Sequence, residues 1–415
     1  MKRLPLWLPA PTGVEAMLAD EARRITGRPA EAVRGGVWIR GDELAAMALN
    51  LESRLAQRVL WPLIDGPYRD EHDLYRLARE VDWPHWIDAD QTLRVDVQAQ
   101  RSPLRSLNFA ALRIKDAVCD AMRDATGTRP SVDTQRPDLP LVLYVGPEHA
   151  TLYVDTSGEA LFKRGWRDER KGGMKGEAPL KETLAAAMLA AAGWQGRAED
   201  VALLGTCCGA GTIVIEAAQI ACGIAPGAAR HFAFERLKPF HTHMAEWRDL
   251  KRAAQARVRP SAVPIFAGDV SFRMTDFATR NAERAGVRAA IEFKTADALQ
   301  RPAPADAGVI MMNPPYGERI APKGRGGTAA RQGFEGGGSS ADFFAGLASH
   351  WKQHYAGWSA WLLSPDMKLP SLMRLKESRR VPLWNGPIEC RLFRFDMVAG
   401  AHRPPRGAGA DPAQP

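Results

Sequence analysis

From residue 180 onward, short apolar runs alternate with runs that have the character of helices. The apolar runs are VALLG, VPIFAGD, IEFKTAD, AGVIMMN and SAWLLSP, and the helical runs include LKETLAAAMLAAAGW, TIVIEAAQIA, TDFATRNAERAG and DFFAGLASHWKQHY. Strands that alternate with helices at this spacing favour a parallel sheet with helices on both faces. The alternation therefore predicts a doubly wound α/β domain, in which ligands bind beyond the carboxyl ends of the strands.

One of these strands ends in an unusual turn, because the apolar run 309–312 is followed by Asn-Pro-Pro-Tyr. Pro314 and Pro315 have no N–H to donate and a restricted φ, so they end the strand in a rigid turn. Asn313 and Tyr316 then place an amide and an aromatic ring on stiff backbone, which suits recognition of a nucleobase. An ordinary turn that closes a strand explains the tetrapeptide equally well.

Three other strand ends carry candidate ligand-binding residues. In LLGTCCGAGT, Gly209 and Gly211 allow the backbone to pass close to a ligand at the start of the next helix. Asp269 is placed to accept hydrogen bonds from ribose hydroxyls, and Asp297 to accept one from an adenine amino group. Tight turns, a surface loop and helix capping explain these residues singly. In this order on one β/α chain, the four strand ends together are a specific signal for a ligand site.

Composition limits the class of protein and of partner. A chain of 415 residues is long enough for two or three domains, and a net charge of +8 favours a polyanionic partner. The five cysteines have no framework or zinc-site spacing, which indicates a reducing compartment. The N-terminus does not have the pattern of a signal peptide, and no stretch approaches the ~18 apolar residues of a membrane span. We therefore expect a cytoplasmic protein that binds neither membrane nor metal.

The first 160 residues mix strand-like and helix-like runs without an obvious catalytic constellation, which is typical of an α+β binding region. A basic segment follows, LFKRGWRDERKGGMKGEAPL. Basic side chains around an aromatic residue favour contact with a phosphate backbone and stacking on a base, although a solvated linker has the same composition. The candidate RNA-binding residues of this segment are Lys163, Arg164, Trp166, Arg167, Arg170 and Lys171.

These features resemble a known family. Residues 180–320 are similar to the catalytic domain of class I S-adenosylmethionine-dependent methyltransferases, in the group that uses an NPPY motif to methylate exocyclic amines. Upstream, PSVDTQRPDLPLVLYV, LYVDTSGEALFKRGWR and GEAPLKETLAAAML resemble the THUMP-containing guanine-N2 RNA methyltransferases, notably the bacterial enzymes that act on 23S ribosomal RNA. The resemblance covers most of the chain, from residue 1 to about residue 400.

The resemblance implies a Rossmann-like methyltransferase domain with a mostly parallel seven-stranded sheet, preceded by a ferredoxin-like domain and a THUMP domain. The implied boundaries are 1–65 for the ferredoxin-like domain, 66–160 for THUMP, 161–179 for a basic linker, 180–400 for the methyltransferase domain and 401–415 for a disordered tail. Larger relatives carry a second methyltransferase after this region, and we expect none here.

The resemblance also implies an activity, the transfer of a methyl group from S-adenosylmethionine to the exocyclic N2 of a guanine in 23S ribosomal RNA or its assembly intermediate. Asn313 and the carbonyl of Pro314 would accept hydrogen bonds from the amine, and Tyr316, which follows Pro315, would stack on the base. The implied cofactor-binding residues are Thr206, Gly209, Gly211, Asp269 and Asp297. We expect a monomer.

The chain departs from the family at the end of the first strand, where Gly205 replaces an acid that organises the methionine end of the cofactor. Either Thr206 or a backbone carbonyl compensates, or the cofactor site is weakened. Three alternatives therefore stay open: a transfer RNA guanine-N2 methyltransferase, a DNA adenine-N6 methyltransferase, against which the upstream similarity argues, and a non-catalytic RNA-binding or assembly protein.

Overall fold

The computed structural model describes residues 5–167, 180–314 and 340–398. They form two β-sheets with helices packed against them, one sheet from the N-terminal half and one from the C-terminal half. No helix within these three ranges is long and apolar enough to cross a lipid bilayer. The predicted disordered tail lies outside the described residues.

The N-terminal sheet has eight strands, which are β1 (Leu6–Pro9), β2 (Ala30–Val33), β3 (Gly36–Ile39), β4 (Leu60–Pro67), β5 (Thr92–Ala99), β6 (Ser131–Val132), β7 (Leu139–Val145) and β8 (His149–Asp155). Their spatial order is β2-β3-β1-β4-β8-β7-β5-β6. Strand β4 pairs with β1 on one side and with β8 on the other, and it crosses the predicted boundary at residue 65. The ferredoxin-like and THUMP parts therefore share one continuous sheet.

Four helices cover this sheet, namely α1 (Glu15–Thr26), α2 (Glu43–Glu52), α3 (Glu71–Arg79) and α4 (Leu107–Thr126). Local sequence explains where several of them begin, because Asp42, Asp70 and Ser106 accept hydrogen bonds from N–H groups in the first turns of α2, α3 and α4. Helix α4 ends on Gly127, which adopts the left-handed conformation expected of a helix C-cap.

The C-terminal sheet has seven strands, which are β9 (Ala202–Gly205), β10 (Ile265–Asp269), β11 (Glu292–Thr295), β12 (Gly308–Met312), β13 (Trp358–Ser364), β14 (Arg379–Asn385) and β15 (Ile388–Asp396). Their order is β11-β10-β9-β12-β13-β15-β14, and only β15 runs antiparallel to its neighbours. The prediction of a doubly wound, mostly parallel seven-stranded sheet is confirmed. The chain order reverses between β9 and β12, which marks the switch point where such sheets bind ligands.

The helices of this half are α5 (Glu182–Ala192), α6 (Thr212–Ala221), α7 (Lys238–His241), α8 (Met244–Ala256), α9 (Phe272–Arg284), α10 (Ser340–His354) and α11 (Leu369–Met373). The sequence pattern indicated α5, α6, α9 and α10, but it missed α8 and the β14–β15 hairpin. Helix α8 belongs to an insertion between α6 and β10 that packs against the N-terminal half, where the Phe240 ring lies 5.8 Å from the Trp61 ring.

The two halves are joined by a buried ion cluster. The side chain of Glu216 on α6 is 0% exposed, and its Oε1 lies 2.8 Å from Nη1 of Arg54 and 3.3 Å from Nη2 of Arg164. Burial alone would raise the pKa of Glu216, but the two guanidinium charges outweigh burial and hold its pKa below the ordinary value. Arg54 comes from the N-terminal half and Arg164 from the segment that connects the halves, so the cluster ties three parts of the chain together.

We expect Glu216→Gln to lower the free energy of unfolding by about 3 kcal/mol at neutral pH, because it leaves the buried Arg164 and the mostly buried Arg54 without this counter-charge. The depressed pKa of Glu216 means that its contribution is present above the unfolded carboxyl pKa of about 4.3 and is lost as pH falls through the folded pKa. The stabilities of variant and wild type should therefore converge in acid.

Urea titration at several pH values measures this difference. The matched control is Glu159→Gln, which removes the same charge from an exposed pair with Lys163 and should cost about 1 kcal/mol or less. Equal losses in the two variants would show that the cluster does not stabilise the fold.

Candidate functional site

The candidate site lies at the carboxyl edge of the C-terminal sheet, where β9, β10 and β12 end side by side. Parallel pairing places Ala267 of β10 beside Gly205 and Ile310 of β12 beside Leu204. Continuing the second register brings Asn313, just after β12, next to the turn that follows β9. The topology thus collects at one edge the residues that the sequence distributes over more than a hundred positions.

The turn between β9 and α6 has a backbone that few residues other than glycine adopt. Gly209 and Gly211 have φ values of 53° and 85°, and Cys207 has a φ of 51°, which is unusual for a residue with a Cβ. A Cβ at Gly211 would lie 3.0 Å from the Cβ of Ala278 on α9, so this glycine is required by packing. A Cβ at Gly209 would meet no described atom within 4 Å, so this glycine leaves open space above the turn.

Asp269 holds the turn in place. Its Oδ2 accepts a hydrogen bond of 3.0 Å from the N–H of Gly209, and its Oδ1 accepts one of 3.1 Å from the N–H of Ser271. Asn281 on α9 is fully buried, and its Nδ2 donates a 2.9 Å hydrogen bond to the carbonyl of Ala210. Sequence reasoning missed Asn281, because a buried asparagine inside a helix has no local pattern that distinguishes it from an exposed one.

Asp297 follows β11, the strand beyond β10 at the same edge of the sheet, and its Oδ1 accepts a 2.9 Å hydrogen bond from the N–H of Leu299. Burial raises the pKa of the Cys207 thiol to about 12, and the negative charges of Asp269 and Asp297 add to the effect. Both carboxylates are therefore near this sulfur. Burial and Asp269 likewise raise the pKa of Cys208. Both shifts favour the protonated thiol, which disfavours thiolate chemistry at this site.

Two polar oxygens at the site are buried without a partner. Thr206 is 3% exposed and its Oγ1 has no hydrogen-bond partner among the described residues, and the same is true of the Oδ1 of Asn313. Buried polar atoms in native proteins nearly always have partners. These two oxygens are among several buried polar atoms of the described residues that lack one, and both are available to a ligand at this strand edge. Thr206, Gly209, Asp269 and Asn313 are thus brought together, while Pro315 and Tyr316 lie outside the described residues.

The structure explains the departure at Gly205. A Cβ at this position would lie 2.4 Å from Cγ1 of Val214 on α6, a side chain that has little rotamer freedom in a helix. Val214 therefore occupies part of the space that an acidic side chain at position 205 would need, and it packs directly against the backbone of Gly205.

The basic segment behaves differently from the prediction. Arg164 and Trp166 are each 3% exposed, and the Arg167 side chain is mostly buried. Arg164 donates to the carbonyls of Leu161 and Arg54, at 2.7 and 2.8 Å. The prediction that Arg164, Trp166 and Arg167 contact RNA is wrong in this structure, because burial removes them from any external partner.

Arg167 instead connects the start of α5 to the start of α6. It forms an ion pair with Glu182 at 3.5 Å and donates hydrogen bonds to the carbonyl of Leu180 and to Oγ1 of Thr212. Lys163 is exposed and pairs with Glu159, so it is accessible to RNA. Arg170 and Lys171 lie outside the described residues. Among the residues that the structure does describe, no group of three or more His, Cys, Asp or Glu side chains has an arrangement that could hold a metal ion.

Comparison with known families divides the chain into three matches. Residues 164–394 match the RMKL-like methyltransferase domain, residues 68–155 match the THUMP domain, and residues 5–60 match the RlmL ferredoxin-like domain. The resemblance seen in the sequence is confirmed for all three regions.

Curated relatives are similar over nearly the whole chain. Ribosomal RNA large subunit methyltransferase K/L of Shewanella amazonensis is 34% identical over 399 residues, and that of Syntrophotalea carbinolica is 36% identical over 398 residues. These alignments cover 95% and 94% of this chain but 53% of each relative. The chain thus spans about half the length of the curated relatives that it matches.

Solved structures share the fold. A protein from Clostridium difficile 630 superposes with a TM-score of 0.81 at 26% identity, covering 98% of this chain and 100% of that one. SMU.472, whose structure contains SAH, also has a TM-score of 0.81, at 24% identity, covering 95% of this chain and 99% of that one. TrmN from Thermus thermophilus has a TM-score of 0.62 at 21% identity, covering 95% and 100%. The three-domain arrangement is therefore shared from end to end.

We expect Gly205→Asp alone to destabilise the protein by about 1–3 kcal/mol, because its Cβ collides with Val214. Val214→Ala alone should also destabilise it, by leaving a cavity in the core. The double variant should lose less stability than the sum of the two single losses. Urea denaturation of the wild type, the two single variants and the double variant measures this coupling free energy. Additive losses would mean that Val214 does not close the space beside residue 205.

Proposed function

We propose that this chain, which belongs to the RMKL-like methyltransferase family, transfers a methyl group from S-adenosylmethionine to the exocyclic N2 of a guanine in 23S ribosomal RNA. The observation that carries the proposal is the unpartnered Oδ1 of Asn313 at the end of β12, beside the glycine turn. The family provides the reaction type, and the curated relatives are named for methylation of large-subunit ribosomal RNA.

The residues at the turn fit a nucleoside cofactor. Open space above Gly209 admits the close approach of a ligand to the backbone, and Asp269 after β10 offers a carboxylate at the edge of the same space. Asp297 occupies the corresponding position after β11. The orphaned Oγ1 of Thr206 offers a hydroxyl for the methionine end, where Gly205 provides no acid. S-adenosylmethionine supplies an activated methyl group, so no covalent nucleophile is required of the protein.

The protein's part in the reaction is to position and polarise the amine. A guanine N2 is a weak nucleophile because its lone pair is conjugated with the ring. Asn313 Oδ1 and the carbonyl of Pro314 would accept hydrogen bonds from the two N–H groups of this amine. These hydrogen bonds increase the electron density on the nitrogen and direct its lone pair out of the ring plane. Pro314 is buried and cannot move freely, so the acceptors are held in place before the base arrives. Tyr316 would stack on the extruded base.

The N-terminal half supplies a means of holding RNA. Residues 68–155 match the THUMP domain, and the net charge of +8 favours a polyanion. The ion cluster around Glu216 attaches this half to α6, the helix that begins at the glycine turn. RNA held by the N-terminal half is therefore presented to the site at a constant distance. Ribosomal RNA as substrate implies a cytoplasmic enzyme, and we propose that it acts as a monomer.

We expect Asn313→Ala to lower the rate of methyl transfer to ribosomal RNA on the order of a hundredfold, because one of two acceptors for the amine is lost. Cofactor affinity should change little, since Asn313 holds the amine. Incorporation of labelled methyl groups into 23S ribosomal RNA and into bulk transfer RNA measures the rate, and calorimetric titration with S-adenosylmethionine measures affinity.

Gln255→Ala on the exposed face of α8 is the matched control, because it removes a side-chain amide outside the THUMP region, and it should leave both quantities unchanged. Methylation of transfer RNA rather than 23S RNA would replace the proposed substrate by the alternative one. Failure of the wild type to bind S-adenosylmethionine with its fold intact would refute the enzyme assignment and favour a non-catalytic RNA-binding protein.

A further inference from the structure

A second cavity lies where the two halves meet, outside the cofactor site. It has a volume of about 270 Å³ and room for far more than one water molecule. Four parts of the chain line this cavity. They are the turn between β1 and α1, Gln57 in the segment between α2 and β4, the start of α5, and the tip of the β14–β15 hairpin. The lining residues that matter here are Thr12, Gln57, Lys181, Thr183, Trp384 and Asn385. We call this cavity the junction pocket.

The junction pocket is on the same edge of the C-terminal sheet as Asn313. Strand β14 runs in the same direction as β13, since both are antiparallel to β15, so the hairpin tip projects from the carboxyl edge. The start of α5 is at this edge too, because Arg167 bonds both Leu180 and Thr212 at the beginning of α6. Strand β14 is three positions from β12 in the sheet, which at ~4.8 Å per strand corresponds to roughly 14 Å across the sheet. Pairing through β13 and β15 aligns Met312 with Arg380, so the tip at Asn385 also extends five residues further along the strand direction.

The pocket is built from rigid parts. A Cβ at Gly13 would lie 2.1 Å from the carbonyl oxygen of Pro382, so the turn after β1 packs directly on β14. The backbone N–H of Gln57 donates a 2.9 Å hydrogen bond to the carbonyl of Pro9, and the carbonyl of Gln57 accepts a 2.8 Å hydrogen bond from the N–H of Leu161. The turn after β1, the segment at Gln57 and β14 are therefore held together by backbone contacts.

The lining combines an aromatic ring, a cation and amides. Trp384 is partly exposed, and the Arg391 guanidinium lies 5.9 Å from its ring centroid. The Lys181 ammonium is exposed and lies 5.2 Å from the Phe162 ring centroid, without an ion-pair partner among the described residues. Gln57 and Asn385 add side-chain amides that donate and accept hydrogen bonds. A ring for stacking, amides for a base edge and a cation for a phosphate together suit one nucleotide.

We propose that the junction pocket binds one nucleotide of the RNA strand, a few positions from the methylated guanine, with its base against Trp384 and its phosphate against Lys181. This inference rests on the proposed function, because that function places an extruded guanine at Asn313 on the same edge. The pocket holds the strand beside the target and so determines which flanking sequence reaches the site. A free nucleotide has the same chemistry, and the experiment separates the two sources.

The test is the affinity of the full chain for a short single-stranded RNA of mixed sequence, measured by fluorescence anisotropy over a range of salt concentrations without cofactor. Trp384→Ala should weaken binding roughly tenfold, and Trp384→Phe should restore most of it because a ring remains. Lys181→Ala should weaken binding and reduce the slope of log K against log salt by about 0.7, the value for one phosphate contact on a single strand.

The matched control is Lys251→Ala on α8, which also removes an exposed lysine near an aromatic ring and should leave the slope unchanged. Wild-type affinity and slope in both Lys181→Ala and Trp384→Ala would overturn the proposal. Loss of AMP binding in these variants with unchanged RNA binding would also overturn it, in favour of a free nucleotide.

This result is separable from the proposed function. Calorimetric titration with S-adenosylmethionine should give wild-type affinity for the pocket variants, since none of them touches the glycine turn. Weaker RNA binding in the variants supports the pocket even when no methylation is detected. Normal methylation together with unchanged RNA binding in the variants refutes the pocket and leaves the enzyme assignment intact.

Discussion

The carboxylate of Glu216 is the contact on which the arrangement of the molecule depends. It lies fully buried on α6 between an arginine of the N-terminal half and an arginine of the connecting segment. A buried charge is tolerated only when it is paired, so removing either arginine would leave the buried carboxylate short of counter-charge. The same helix begins at the glycine turn, and the ion cluster therefore relates the RNA-binding half to the reactive edge of the sheet.

This constraint explains why the basic segment is inside the protein. Arg164 completes the Glu216 cluster, while Arg167 pairs with Glu182 and bonds Thr212. Desolvation lowers the pKa of Arg167, and the charge of Glu182 opposes that effect. These arginines position two helices that border the site.

The sequence predicted the architecture well where the pattern is local. Alternating apolar and helical runs indicated β9 to β13, and the strand-end residues Gly209, Asp269 and Asn313 were identified before their proximity was known. The burial of Arg164 was not predictable, because its partner Glu216 is 52 residues away and nothing local distinguishes a buried arginine from a solvated one. Helix α8 and the β14–β15 hairpin were not among the predicted runs.

The departure at Gly205 is where sequence and structure favour different conclusions. From the sequence alone, a missing acid indicates a weakened cofactor site. In the structure the vacated space is occupied by Val214, while Thr206 and Asn313 keep buried oxygens without partners at the same edge. Each such oxygen costs about 1–3 kcal/mol in a protein that binds nothing there. Both oxygens offer hydrogen-bond acceptors to a ligand at this edge, so the absence of an acid at Gly205 does not by itself remove the polar partners of the proposed cofactor site.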